Sequence, residues 1–308
     1  MERVAAILEN DPLPRVAAVL SACRGVTDAL LTLVTAAERQ VDGDAERLEA
    51  IRQRHIGIAG TLLSAAAADE YVAELTANCR EIAGILQTVR LIRVASPVVR
   101  DLVAGFGEIL STRLFARYLQ ARGRRPGEVL WVDAREIVQI DAAPLGPTVL
   151  WPESRANADR LVPRAPSATL VITGFIARTR EGLQSTLGRN GSDFSGSIFG
   201  ALLDASEIVI WTDVDGVLSA DPRRVPDATV IDSLSYNEAM ELAHFGAKVI
   251  HPQTMAPAVS RRIPIWIKNT FAPEKPGTLI CASRTPCIRS RASPASTAWR
   301  SSTSRAPA

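Results

Sequence analysis

Residues 168–213 read "ATLVITGFIARTREGLQSTLGRNGSDFSGSIFGALLDASEIVIWTD". Two near-continuous apolar runs, "ATLVITGFI" (168–176) and "SEIVIWTD" (206–213), frame a glycine-bearing connection and the helical pattern "FSGSIFGALLDA" (194–205). Strands apolar on both faces and separated by a helix belong to a parallel sheet covered on each side. This unit predicts an α/β fold: a three-layer α/β/α sandwich around a mainly parallel sheet.

Working outward, "RVAAVLSA" (15–22) and "EVLWVDA" (128–134) are further strands, and "MERVAAILENDPLPR" (1–15) begins as a short helix. Residues 44–91, rich in Ala, Leu, Glu and Arg with few breakers, predict helix, and a second long helix is expected to stop near Gly123. Downstream, "VDGVLSADPRRVPDA" is a long loop that admits a hairpin, "SYNEAMELAHFG" and "QTMAPAVSRR" are helical, "AKVIHP" is a short extended piece and "IPIWIKNT" is a strand. After residue 280 the composition turns to Ser, Ala, Arg and Pro. The expected organisation is one domain over 1–280 and a disordered tail over 281–308.

The 308 residues are 47% hydrophobic and carry a formal charge of +2. The tail supplies five arginines and no acid, which leaves 30 basic against 33 acidic residues in the body. Such a body has no electrostatic footprint for nucleic acid or an anionic membrane. No apolar run is long and charge-free enough to span a bilayer, and no secretory leader is apparent. Cys23, Cys79, Cys281 and Cys287 match neither a disulfide framework nor a zinc pattern. The expectation is a cytoplasmic protein without a protein-bound metal.

Several stretches carry candidate chemistry. In "GRNGSD", Gly188 and Gly191 let peptide N–H groups converge on an anion at a helix N-terminus, which Ser192 or Asp193 caps. Arg189 suits a bidentate grip on a carboxylate. Read alone, the stretch is better taken as an ordinary loop and helix cap; its context turns the reading toward chemistry. Thr212 and Asp213 end a strand at the edge where parallel sheets bind ligands. Asp213 and Asp215 read either as magnesium ligands or as Asx-turn formers, and Arg223 as a phosphate partner or part of a solvated turn. Lys248 is a phosphate contact or a surface charge; His244 and His251 read as packing or loop residues. Glu108, in the apolar "AGFGEIL", is either an acceptor for a substrate ammonium group or the polar face of a helix. Ser21 and Thr27 bracket a strand-to-helix turn, with Thr27 a substrate donor or a cap.

Taken in order, "VLSACRGVTDAL", "GFGEILS", "TLGRNGSDFS", "WTDVDGVLSADPRRVPDA" and "FGAKVIHPQTMAPA" closely resemble the kinase domain of aspartate kinases, above all the kinase portions of bifunctional forms. The resemblance covers about residues 1–280 and implies the amino-acid kinase (carbamate kinase-like) fold. It implies ATP and Mg2+ as cofactors, L-aspartate as substrate, and a γ-phosphoryl transfer that yields 4-phospho-L-aspartate for lysine, threonine and methionine synthesis. By that resemblance Glu108 binds the aspartate amino group, with Thr27 and Ser21 in the same pocket. Arg189 grips carboxylate beside Ser192, and Asp193 organises the transfer centre. Gly191, Thr212, Asp213, Leu218, Arg223 and Lys248 match nucleotide positions; the family often has tyrosine at the position of Leu218.

The sequence also departs from the family. The opening K-F-G-G-T-S strand and turn has no counterpart, and no lysine precedes Lys248. The regulatory domains that usually follow, and help to build a homo-oligomer, have none either. The expectation is an N-terminally truncated fold, little kinase activity from this chain alone and no feedback control by end-product amino acids. The alternatives are an inactive fragment that binds nucleotide or associates with a full-length kinase, and a kinase of another small acid.

Overall fold

The computed structural model describes residues 1–141, 146–163, 165–188, 190–244, 251–283 and 300–304. Helix α1 (Glu2–Glu9) leads into β1 (Arg15–Leu20), followed by α2 (Val26–Glu38), α3 (Asp44–Leu62), α4 (Ala65–Ile92) and α5 (Pro97–Arg122). Next come β2 (Glu128–Val132), α6 (Ala134–Ile137), β3 (Gln139–Asp141), β4 (Thr148–Val149), α7 (Trp151–Leu161), β5 (Ala168–Thr173), β6 (Ile176–Thr179) and β7 (Gln184–Thr186). The last third holds α8 (Gly191–Leu202), β8 (Glu207–Thr212), β9 (Ser233–Ser235), α9 (Tyr236–His244), α10 (Pro252–Ser260), β10 (Ile265–Asn269), β11 (Thr278–Cys281) and β12 (Arg300–Ser304).

Eight strands form the main sheet in the order β2-β5-β1-β12-β8-β10-β11-β9, parallel except where β10 meets β11. The apolar runs are central because they are buried on both faces. Val16, Ala18 and Leu20 of β1 pack with Ala5 and Leu8 of α1 and Phe115 and Leu119 of α5. Ala17 and Val19, pointing the other way, join the cluster of Leu30, Leu110, Ile198 and Phe199. Beyond β12, Ile208, Ile210, Ile265, Ile267 and Ile280 build a second core under α9 and α10.

Local chemistry sets the helix ends. Ser96 accepts a hydrogen bond from the Val99 amide, Pro97 occupies the first turn of α5, and Gly123 ends the helix at φ +59°. Four short strands, in the order β4-β3-β6-β7, form a small second sheet. The loop after β8 does close as a hairpin: Leu218 bridges Val230, and the Ser219 amide donates to Thr229.

Three expectations change. The run 168–176 is two strands rather than one, because Gly174 and Phe175 break it. Phe175 has φ +65°, and the freed chain turns back through Gly182 into the β6–β7 hairpin. Helix α8 starts at Gly191 after Asn190 in the left-handed region, so Ser192 and Asp193 lie in its first turn and do not cap it. Finally, the tail expected to be disordered over 281–308 contains β12 at the centre of the sheet. Ser301 and Thr303 are small enough to lie against the glycine face of α8, where the sheet leaves room for a strand between β1 and β8. The rest of the tail past residue 283 lies outside the described residues.

Candidate active site

The site lies beyond the carboxyl ends of β1, β5 and β8. Glu108 enters it from the middle of α5, a stretch otherwise buried in apolar contacts. Helix α5 reaches the turn after β1 because residue 107 is glycine: a Cβ there would stand 2.8 Å from Ala22 Cβ and 3.5 Å from Thr27 Oγ1. That approach lets the Ala22 amide donate to Glu108 Oε1 at 3.2 Å. Oε2 is buried and has no protein partner. With Glu108 only 3% exposed, loss of hydration pushes its pKa up to about 8, against a smaller lowering by the Ala22 and Glu108 amides.

Around Glu108, a cavity of about 410 Å³ is lined by Ser21, Thr27, Phe175, Gly188, Gly191, Ser192 and Asp193 among others. Ser21 Oγ donates to Ser192 Oγ at 2.8 Å, which ties the end of β1 to the first turn of α8. Ser111 donates to the Ser21 carbonyl at 2.8 Å and fixes the same turn from α5. The amino end of α8, with its positive dipole, faces this cavity and favours a negatively charged ligand. Gly188 takes φ +72°, and a Cβ on Gly191 would stand 2.7 Å from Phe175. Both glycines are required by the turn. Asp193 is 3% exposed in that first turn. Thr27, read as donor or cap, follows the N-cap Gly25 and lines the cavity from the first turn of α2.

Thr212 and Asp213 lie at the carboxyl end of β8. Thr212 is buried and donates to the exposed Asp213 at 3.2 Å. Leu218 is half-buried at the base of the hairpin. Arg223 does not reach into the site: it is exposed and forks onto Asp221, with Nη2 to Oδ2 at 2.8 Å. Asp215 is not a free metal ligand, because Asn269 Nδ2 and Lys275 Nζ each donate to it at 2.6 Å, and these bonds hold its carboxyl below the usual range. Arg189 and Lys248 lie outside the described residues, as does the side chain of His244.

The structure thus brings Ser21, Thr27, Glu108, Gly191, Ser192 and Asp193 together and puts Thr212 and Asp213 two strands away, across β12. Sequence reading missed Ser111, Phe175, Asn269 and Lys275. The signal for Phe175 was the "TGF" break in an apolar run. Asn269 and Lys275 gave none, since they meet Asp215 only through the pairing of β10 with β8. Among the described residues no group of three or more His, Cys, Asp or Glu side chains suits a metal ion, and no helix is long and apolar enough to cross a membrane.

The profile of the amino acid kinase family matches residues 1–269. A bifunctional aspartokinase/homoserine dehydrogenase of Zea mays is 37% identical over 284 residues, covering 91% of this chain and 30% of the maize protein. Lysine-sensitive aspartokinase 3 of Escherichia coli is 34% identical, covering 91% of this chain and 60% of that protein. The solved structure of Escherichia coli aspartokinase III in complex with aspartate and ADP superposes with a TM-score of 0.81 at 31% identity, covering 92% of this chain and 62% of that one. The chain therefore spans less than a third of the length of the bifunctional plant relative and under two thirds of the bacterial ones.

Proposed function

Since the chain belongs to the amino acid kinase family, we propose that it is an aspartate kinase module, which binds L-aspartate at Glu108 and ATP beside Thr212. The observation that carries this reading is Glu108 Oε2, a buried carboxyl oxygen without a protein partner at the wall of the cavity that Ser21, Thr27 and Ser192 line. A ligand ammonium group supplies the missing donor, while Ser21, Thr27 and Ser192 offer hydroxyls to the rest of a small amino acid. Arg189 takes a substrate carboxylate, and the amino end of α8 faces the phosphates. Asp193 orders the transfer centre; Thr212, Asp213, Leu218, Gly191 and Lys248 serve the nucleotide.

The chemistry asks little of the protein beyond alignment. An oxygen of the aspartate side-chain carboxylate forms a bond to the γ-phosphorus as the bridging bond to the β-phosphate breaks, giving ADP and an acyl phosphate. The attacking carboxylate is ionised at neutral pH, so no general base is needed. Asp215 is already neutralised by Lys275, and no carboxylate cluster among the described residues encloses a cation. Mg2+, for which one or two carboxylates and the nucleotide phosphates suffice, would come with the nucleotide. When bound, it neutralises their charge.

Binding and trapping are measured together. Calorimetry should detect aspartate binding, and hydroxylamine should trap an acyl phosphate only when aspartate and ATP are both present. The absence of both signals, or equal signals with other small acids, would overturn the assignment. Free Cys23, Cys79 and Cys281 support a reducing compartment such as the cytoplasm.

A further inference from the structure

We propose that the slot between β1 and β8 is an acceptor site for an extended peptide strand, filled in this chain by its own residues 300–304. We further propose that filling it joins the two halves of the kinase site. Strand β12 runs parallel to both neighbours, in register from Val16↔Arg300 to Leu20↔Ser304 on one side and from Glu207↔Arg300 to Trp211↔Ser304 on the other. It is the sole link between β2-β5-β1 and β8-β10-β11-β9 in the main sheet of the described residues. Without it the facing edges of β1 and β8, roughly 10 Å apart at ordinary strand spacing, would hold unpaired backbone groups in a buried place.

The slot selects its occupant by size on one face and by charge at one end. Ser301 and Thr303 are fully buried against α8, and Ser301 Oγ donates to the Gly196 carbonyl at 2.9 Å. A Cβ on Gly196 would stand 2.2 Å from Thr303 Cγ2, and one on Gly200 would stand 3.7 Å from Ser301 Cβ. Glycines four apart therefore give α8 a flat face, under which only small side chains fit at alternate strand positions. At the entering end, Arg300 pairs with Asp11 Oδ2 at 2.6 Å, ahead of β1, and with Glu207, the first residue of β8. The ligand class is thus an extended segment of the form Arg-Ser-x-Thr, small at every second position.

The site consequence follows from register. The leaving end of β12 lies between Leu20 and Trp211, the residues just before Ser21 and Thr212. The acceptor cavity and the nucleotide-side residues thus flank one strand, and its insertion fixes their separation. This last step rests on the aspartate kinase reading; the strand site does not.

The test uses the full chain with a protease site built into residues 284–299. After cleavage, the C-terminal fragment should stay bound through gel filtration and exchange with a labelled peptide of residues 298–308. The same peptide with tryptophan at positions 301 and 303 should not enter. Ser302→Pro, which removes a ladder N–H, should lower Tm by at least about 5 °C and weaken ADP and aspartate binding tenfold or more. Added wild-type peptide should restore all three. If Ser302→Pro does not fold, the cleaved wild-type chain still decides the matter. Immediate loss of the fragment with unchanged Tm, or entry of the tryptophan peptide, would overturn the strand site. Peptide exchange and Tm shifts with unchanged ligand binding would overturn only the coupling. Failure of the kinase assignment would leave peptide exchange and Tm shifts intact.

Discussion

Binding of aspartate should release a proton. In the free protein the Glu108 pKa is about 8 because burial disfavours its charge, so at pH 7 roughly nine molecules in ten hold it neutral. An ammonium group delivered to Oε2 favours the carboxylate and lowers that pKa in the complex. Binding at pH 7 therefore expels about 0.9 proton per aspartate, and below pH 8 affinity rises with pH by up to about tenfold per unit. At pH 6 the ligand must first meet roughly 2.7 kcal/mol of deprotonation, about a hundredfold in affinity. Calorimetry in two buffers of different ionisation enthalpy, phosphate and Tris, reads the proton count directly. Equal heats in both buffers, or a flat affinity between pH 6 and 8.5, would refute the assignment of the ammonium to Glu108.

The same carboxyl should shape stability without ligand. Its folded pKa is raised from 4.5 to about 8, so the unfolded chain ionises first. Stability is then full below about pH 4.5 and falls as pH rises to about 8, by roughly 5 kcal/mol at most; Glu108→Gln should flatten that slope in denaturant titrations. Gly107→Ala drives a methyl to within 2.8 Å of Ala22 Cβ. It should cost about 1–3 kcal/mol and weaken aspartate binding more than ADP binding, as calorimetry will read. Thr303 Oγ1 is buried without a partner, so Thr303→Val should leave Tm unchanged or raise it in a thermal melt. Lys275→Ala exposes Asp215 as a bare negative charge on the nucleotide side. It should reduce ADP affinity several-fold in calorimetry while stability moves by less than about 1 kcal/mol, since the pair is half exposed.

The sequence makes legible those parts of the molecule whose physics is local. The strands β1, β5 and β8 are continuous apolar runs because both faces are covered, and "GRNGSD" announces a turn that needs glycine at φ +72°. Glu108 stands out as an acid in an apolar helix, although only the fold reveals that Gly107 carries it to the Ala22 amide. What stays hidden depends on distant partners. "RSSTS" has neither strand propensity nor apolar alternation; its place comes from Gly196 and Gly200 and from two strands with free edges. Asn269 and Lys275 become relevant only when β10 pairs with β8 and brings them to Asp215. Arg223 reads from sequence as a phosphate partner or as part of a solvated turn, and only the structure shows its fork on Asp221, two residues away.

The central claim is that the unpartnered oxygen of Glu108 awaits a substrate ammonium. A crystal structure of this chain with aspartate tests it most directly. The expected result is the aspartate nitrogen about 2.7–3.1 Å from Glu108 Oε2, with its carboxylates toward Ser21, Ser192 and the amino end of α8. Aspartate bound elsewhere, or Glu108 left without a ligand contact in a saturated crystal, would contradict it.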